Sequence, residues 1–322
     1  MIATHDEVQF TLDTADGTIS FTRPATEVQR INGQRITRRQ VEFADGSTGR
    51  VYITEDGNVY PSVSTLIDLR DTDKTALTRW KERYDGSLEN NRAHWRDILN
   101  FKASFGTLAH YEVLNPLADN ELWGEEEEAA TSAFDNSFVP FPVDELGEYA
   151  RDPMFEGEGV FVERDGLATY LLDWVEGHAS NVFADLDHAV DVETYLVNEE
   201  LGYAGQVDLV YVSNLPHLDI VVCDVKTSKQ VRYKHKLQSA AYGIAYQQMR
   251  GVDVDELKVA RLSPFADEGD RVEGSYSFQW EKPSSPWNEP VTRDELEERV
   301  AVLAERFDEE KRPIQGLAEQ ER

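Results

Sequence analysis

GQVDLVYVSNLPHLDIVVCDVKTSKQ, residues 205–230, holds two apolar runs separated by Asn214-Leu215-Pro216-His217. Asn and Pro favour turns, so the two runs predict an antiparallel hairpin. Side chains alternate along a strand, which puts Asp224 and Lys226 on one face and Cys223 and Val225 on the other. Pairing around the turn sets Asp208 opposite Cys223 or Asp224. The second run is apolar until its end, as in a central strand buried on both faces. A strand-rich centre with helices before and after it predicts an α/β sandwich with a mixed sheet.

An isolated buried carboxylate is costly, but two carboxylates and an amine are tolerated when a cation sits between them. Carboxylate oxygens favour hard Mg²⁺ or Mn²⁺ over zinc, which calls for nitrogen or sulfur ligands. Asp208, Asp224 and Lys226 therefore suit metal-assisted hydrolysis of a phosphodiester. The same residues also describe a surface hairpin with a solvated Asp224–Lys226 pair, because an acid–x–lysine unit alone is common.

The flanks organise around this centre. Residues 1–60 are β-rich, with turns at Ala15-Asp16-Gly17, Asp45-Gly46 and Asp56-Gly57, and predict a small antiparallel sheet as an N-terminal extension. Residues 61–322 form the main domain. Its first helix is capped by Ser62 or Ser64. Apolar residues at helical spacing follow over 91–115, where Gly106 marks a break or a close approach of backbones. The acidic stretch GEEEEAATSAFDNS predicts an exposed helix, and Phe138–Pro153 a long loop. A strand GVFVER, a helix from about Ala168 to Ala189 and a strand VETYLV lead into the hairpin. A helix around 232–250, strands near LKVARL and GSYSFQW, and an amphipathic helix from Thr292 to Glu310 complete the chain.

Sixty-two acids against 32 bases give a formal charge of −30. Self-repulsion on this scale destabilises a compact state unless salt screens it, and the Debye length shrinks to ~3 Å in molar salt. The acids are spread along the chain, which fits the cytoplasm of a high-salt cell or its virus. The rival reading is an acidic protein that mimics DNA or binds basic partners. No run of eighteen apolar residues is present, so no membrane span is expected, and the opening residues carry no secretory pattern. The single cysteine, Cys223, excludes a four-cysteine iron–sulfur or zinc site.

Asp208 with Asp224-Val225-Lys226 resembles the PD-(D/E)XK nuclease superfamily, above all its RecB-like and phage-exonuclease branches. Gly106-Thr107-Leu108-Ala109-His110 is similar to the G-T-x-x-H pattern that supplies a metal-binding histidine there. Gln238 and Tyr242 match a glutamine and a tyrosine one turn apart on the following helix. Tyr60-Pro61-Ser62-Val63-Ser64 resembles the opening of such domains, so the likeness spans about Tyr60 to Tyr246. Val207 stands where the family's proline is, and neither cluster cysteines nor a P-loop is present.

The resemblance implies a restriction-endonuclease-like α/β core and a Mg²⁺- or Mn²⁺-dependent deoxyribonuclease without an iron–sulfur cluster. Asp208, Asp224, His110 and the Val225 carbonyl would be ligands, and Lys226 would orient or deprotonate the attacking water. Glu193 lies where relatives carry an extra acid, a supporting place. The branch points to an exonuclease of replication, repair or recombination. A structure-specific endonuclease and a non-catalytic DNA-binding protein remain as alternatives. A separate helicase or single-strand annealing protein would be its partner.

DNA is the expected ligand for a further reason. Lys226, Lys229, Arg232, Lys234 and Lys236 form the densest basic island of this acidic chain, suited to phosphates or to balancing neighbouring acids. Trp80, Trp95 and Tyr233 are candidates either to stack on bases or to fill the core.

Overall fold

The structure is a computed structural model. It describes residues 7–14, 17–24, 26–31, 34–43, 48–68, 75–83, 95–118, 139–140, 161–162, 175–216, 219–228, 231–263, 276–279 and 293–310. The strands are β1 (Glu7–Thr14), β2 (Gly17–Pro24), β3 (Thr26–Ile31), β4 (Gln34–Glu42), β5 (Thr48–Thr54), β6 (Val59–Pro61), β7 (Val139–Pro140) and β8 (Phe161–Val162). They continue with β9 (Leu186–Asn198), β10 (Tyr203–Ser213), β11 (Ile220–Lys226), β12 (Glu256–Arg261) and β13 (Tyr276–Gln279). The helices are α1 (Val63–Asp68), α2 (Thr75–Arg83), α3 (Trp95–Leu114), α4 (175–182), α5 (Tyr233–Arg250) and α6 (Arg293–Glu310).

The expected hairpin is β10–β11, the middle of a five-stranded sheet in the order β13-β12-β11-β10-β9. Only β11 and β12 run parallel. The sheet is therefore mixed, and α5 is the crossover that a parallel pair requires. Alternation along β11 explains its apolar run. Val222 packs with α1, α5 and α6 on one face, whereas Val221, Cys223 and Val225 pack with α3 and α4 on the other. Each such aliphatic side chain contributes ~1.5–3 kcal/mol when fully buried. The result is an α/β sandwich with helices on both faces of a mixed sheet.

Local signals explain most boundaries. Ser62 caps α1, its Oγ accepting from the Thr65 N–H at 3.1 Å. Leu237, Ala240, Ala241, Ile244 and Ala245 line the buried face of α5 at helical spacing. Gly251 ends that helix at φ 66°, its N–H returning to the Gln247 carbonyl. Helix α3 runs unbroken through Gly106, so of the two expectations there the close approach holds. A Cβ at Gly106 would stand 3.3 Å from Thr227 Oγ1, just beyond the end of β11.

One expectation fails. The helix anticipated to Ala189 ends at residue 182, and β9 already begins at Leu186. Asp185 causes the change: it accepts from Tyr211 OH and from Lys258 Nζ, both at 2.7 Å. Its backbone carbonyl also accepts from the Asn214 N–H. The chain is thereby tied to the sheet three residues after the helix. Within the expected loop, Val139–Pro140 pairs with Phe161–Val162. The expected acidic helix over 124–137, the rest of that loop and residues 168–174 lie outside the described residues.

The N-terminal β-rich region contains the β1–β2 hairpin and a four-stranded antiparallel sheet, β3-β4-β5-β6. This second sheet shares a core with the first: Val41, Phe43, Val51 and Ile53 cluster with Leu196, Val207 and α5. Tyr52 meets Tyr195 edge-on at 5.2 Å, and Phe43 meets Phe307 at 5.5 Å. Packing therefore continues across residue 60. Among the described residues no helix is long and apolar enough to cross a membrane.

Two glycines give opposite expectations. A Cβ at Gly205 would lie 2.5 Å from Tyr242 Cε1 and 3.2 Å from Val63 Cγ2, with all three residues in the core. Gly205→Ala is predicted to cost about 1–3 kcal/mol, through overpacking. Gly177 lies in α4 with open space around it, so Gly177→Ala should add about 0.5–1 kcal/mol. Urea unfolding midpoints of the two variants check both signs.

Candidate functional site

Leu209 pairs with Cys223, which sets Asp208 across from Asp224 and settles the open register. Asp208 Oδ2 accepts from the Val225 N–H at 2.6 Å. Lys226 Nζ donates to Asp224 Oδ1 at 2.6 Å and to the Val225 carbonyl at 3.2 Å. On the other side of β10, Val207 pairs with Thr194 and Leu209 with Val192, so Asp208 also lies across from Glu193. From α3, the His110 ring brings Nε2 within 3.1 Å of the Val225 carbonyl and Nδ1 within 3.6 Å of Glu193 Oε1.

Ligand atoms of His110, Glu193 and Asp208 all lie within 4.8 Å of one another. The sequence had placed Asp224 in this group and Glu193 beside it. In the structure Glu193 groups with His110 and Asp208, and Asp224 pairs with Lys226. Both acids are buried, and Glu193 Oε1 and Asp224 Oδ2 have no hydrogen-bond partner among the described residues. Leaving such oxygens without donors is costly. An imidazole nitrogen, two carboxylates and an adjacent carbonyl suit a hard divalent cation. The residues present thus fit Mg²⁺ or Mn²⁺.

Glu193 sits in the left-handed region at φ 47°. For a residue with a Cβ this costs about 1–2 kcal/mol and persists only where surroundings hold it. Sequence reasoning found the acid but not its backbone, and it missed the residues that hold it, Gln29 and Gln206. Gln206 was visible beside Asp208, yet nothing near Gln29 signals a site.

Burial raises the pKa of both aspartates, that of Asp224 to about 7 despite the Lys226 ammonium beside it. Burial works against the charge on Lys226, but Asp224 and Asp208 outweigh it and hold the amine above its ordinary value. His110 is likewise opposed by burial and raised by Asp208 and Glu193.

A cleft of about 360 Å³ lies between α3 and the end of β11, reached from this cluster by His110. Leu99, Lys102 and Ala103 form one wall and Val225–Ser228 the other, with His110 and Lys226 both reaching it. Beyond it the basic island divides. Arg232 and Lys234 are exposed, Lys229 lies outside the described residues, and Lys236 is buried at 7% exposure. Lys236 is a correction: it follows His235 onto the packed side of α5 and cannot grip a phosphate at the surface.

Gln238 and Tyr242 also turn inward. The Gln238 amide donates to Tyr242 OH at 2.9 Å, and the buried Tyr242 ring packs on Gly205. The pair buttresses the sheet next to Asp208. Trp80 and Trp95 pack against the α3 cluster, and Arg299 covers the Tyr233 ring at 5.2 Å.

Two predictions follow from these charges. Metal ligands bind in their deprotonated form, and the pKa values of Asp208 and His110 lie above their ordinary ranges, so Mn²⁺ affinity should fall as pH is lowered, by up to about tenfold per unit for each proton released. Calorimetry in buffers of different ionisation enthalpy should detect that release. Separately, His235 Nδ1 accepts from the Arg232 N–H at 3.1 Å at the start of α5. Burial, and then the charges of Lys226, Lys234 and Arg232, lower its pKa from 6.5 to about 3. A depressed histidine is stabilising while neutral, so this contribution is complete above the unfolded pKa and is lost as pH falls from there towards 3. From pH 7 to 5 the loss is about 2 kcal/mol. His235→Gln keeps an acceptor at that point and should remove this part of the slope in urea titrations.

No protein-family model and no curated protein matches the chain.

Proposed function

We propose that this chain is a metal-dependent DNA nuclease with a PD-(D/E)XK-type core, acting on phosphodiester bonds with Mg²⁺ or Mn²⁺. One observation carries the reading: the ligand atoms of His110, Glu193 and Asp208 converge within 4.8 Å, beside an Asp224–Lys226 pair whose lysine lines a cleft. The order of the sequence motifs supports it independently.

Each residue has a role that its surroundings favour. Asp208, Glu193 and His110 would hold the metal, with the Val225 carbonyl as a fourth donor. Asp208 is oriented by the Val225 N–H, so its free oxygen is presented in a fixed direction. When bound, the metal lowers the pKa of its water and polarises the phosphoryl oxygen. Lys226, held charged by Asp224 and Asp208, orients the attacking water as a donor and offsets the charge of the pentavalent transition state. Asp224 keeps that ammonium in place. Lys102, on the facing wall of the cleft, and exposed Arg232 and Lys234 would meet flanking phosphates.

The motif pattern favours an exonuclease of replication, repair or recombination. In multimolar KCl with Mg²⁺ or Mn²⁺, end-labelled linear DNA should be degraded and covalently closed circles spared. Cutting of closed circles would instead identify an endonuclease. Asp208→Asn, Glu193→Gln and Lys226→Ala should each lower the rate by about 10²–10³, as expected when a ligand or a charge-stabilising donor is lost. Activity that survives Asp208→Asn and Lys226→Ala would remove the site assignment. DNA binding without cleavage of any form would leave a non-catalytic binding protein.

A further inference from the structure

Among the described residues, Glu193 is the non-glycine residue at positive φ, and it is also a member of the candidate metal group. The two facts are connected through its backbone. With φ at 47°, its carbonyl is met by two side-chain amides. Gln29 Nε2 donates to it at 2.8 Å and Gln206 Nε2 at 3.3 Å. The other end of the Gln29 amide, Oε1, accepts from the Tyr195 N–H at 2.8 Å. One carboxamide therefore brackets the strained turn from the Glu193 carbonyl to the Tyr195 amide. Gln206 is aimed in turn by Arg38, whose Nη1 donates to its Oε1 at 2.6 Å.

Gln29 lies on β3 and Arg38 on β4, neighbouring strands of the four-stranded sheet. Both reach across to the central sheet at the point where Glu193 stands opposite Asp208. We propose that Gln29 is a positioning residue for the metal site, and that the N-terminal sheet is part of that site's framework. A carboxamide is the right group here, because it gives a donor to the carbonyl and an acceptor to the amide without adding charge near the carboxylates. Without it the Glu193 carbonyl keeps only the longer bond from Gln206 among those described, and the Tyr195 N–H loses its acceptor. The strand would relax towards extended φ, carrying the carboxylate away from His110 and Asp208. The functional consequence rests on the metal-site reading; the clamp itself is a statement about the backbone of Glu193.

The test uses the full chain with Gln29→Ala, Gln29→Glu and the milder Gln29→Asn. Gln34→Ala is the control, since Gln34 lies on the same sheet and bonds only the exposed Asp56. Gln29→Glu keeps an acceptor for Tyr195 but turns lone pairs onto the Glu193 carbonyl. Mn²⁺ affinity, followed by calorimetry and by the hyperfine pattern of bound Mn²⁺, should fall about tenfold or more in the Ala and Glu variants. The Gln34→Ala control should bind like the parent protein. Crystal structures of the metal-free variants should show Glu193 out of the left-handed region. Folded Gln29 variants that bind Mn²⁺ within twofold of the parent, with Glu193 still near its present φ, would overturn the proposal. If the parent chain binds no Mn²⁺, the metal reading falls on its own. The clamp is then judged by Glu193 alone: relaxed φ in a Gln29 variant supports it, and unchanged φ overturns it.

Discussion

Asp224 is shielded completely from solvent at the end of an apolar strand, and one of its oxygens meets no donor among the described residues. Around it lie two more buried acids, Asp208 and Glu193. Gathering three carboxylates out of water is the constraint on which the rest of the architecture depends. Such a group survives in a fold only when cations or protons answer it. Lys226 supplies one charge directly, and raised pKa values supply protons elsewhere. The proposed divalent ion would answer the rest.

The strand that carries Glu193 is fastened on both sides of it. Asp191 accepts from Tyr246 OH and from Arg250, so α5 holds β9 before the strained residue. Gln29 bonds Tyr195 just after it, and Tyr52 packs against the Tyr195 ring. Further along, Asp185 joins Lys258 and Tyr211 at the start of the same strand. Buried ion pairs of this kind are weak evidence of net stability, but they tie particular elements together. Here they make the unfavourable φ of Glu193 a property of two sheets and a helix. That arrangement is why the four-stranded sheet, expected as an extension, is packed against the site.

The hairpin was legible because its signals are local: alternation, a turn and an acid–x–lysine unit within one short stretch. His110 was legible because Gly106-Thr107 and the histidine lie on one helix. Gln29 was not, since it bonds Glu193 across a separation of 164 residues. The left-handed backbone of Glu193 was equally hidden, because a positive φ leaves no mark in composition. Lys236 misled for the opposite reason: a basic run reads as surface, yet helical periodicity leaves Arg232 and Lys234 exposed and turns its last member, Lys236, inward. The early end of α4 depended on Asp185 meeting Lys258, again a contact between distant segments.

The most direct measurement is an anomalous difference map from crystals grown with Mn²⁺. The account predicts one strong peak at about 2.0–2.3 Å from carboxylate oxygens of Asp208 and Glu193 and from a ring nitrogen of His110, in the range of hard-cation ligand distances. No peak at that point under saturating Mn²⁺, with His110 still bonded to the Val225 carbonyl, would contradict it.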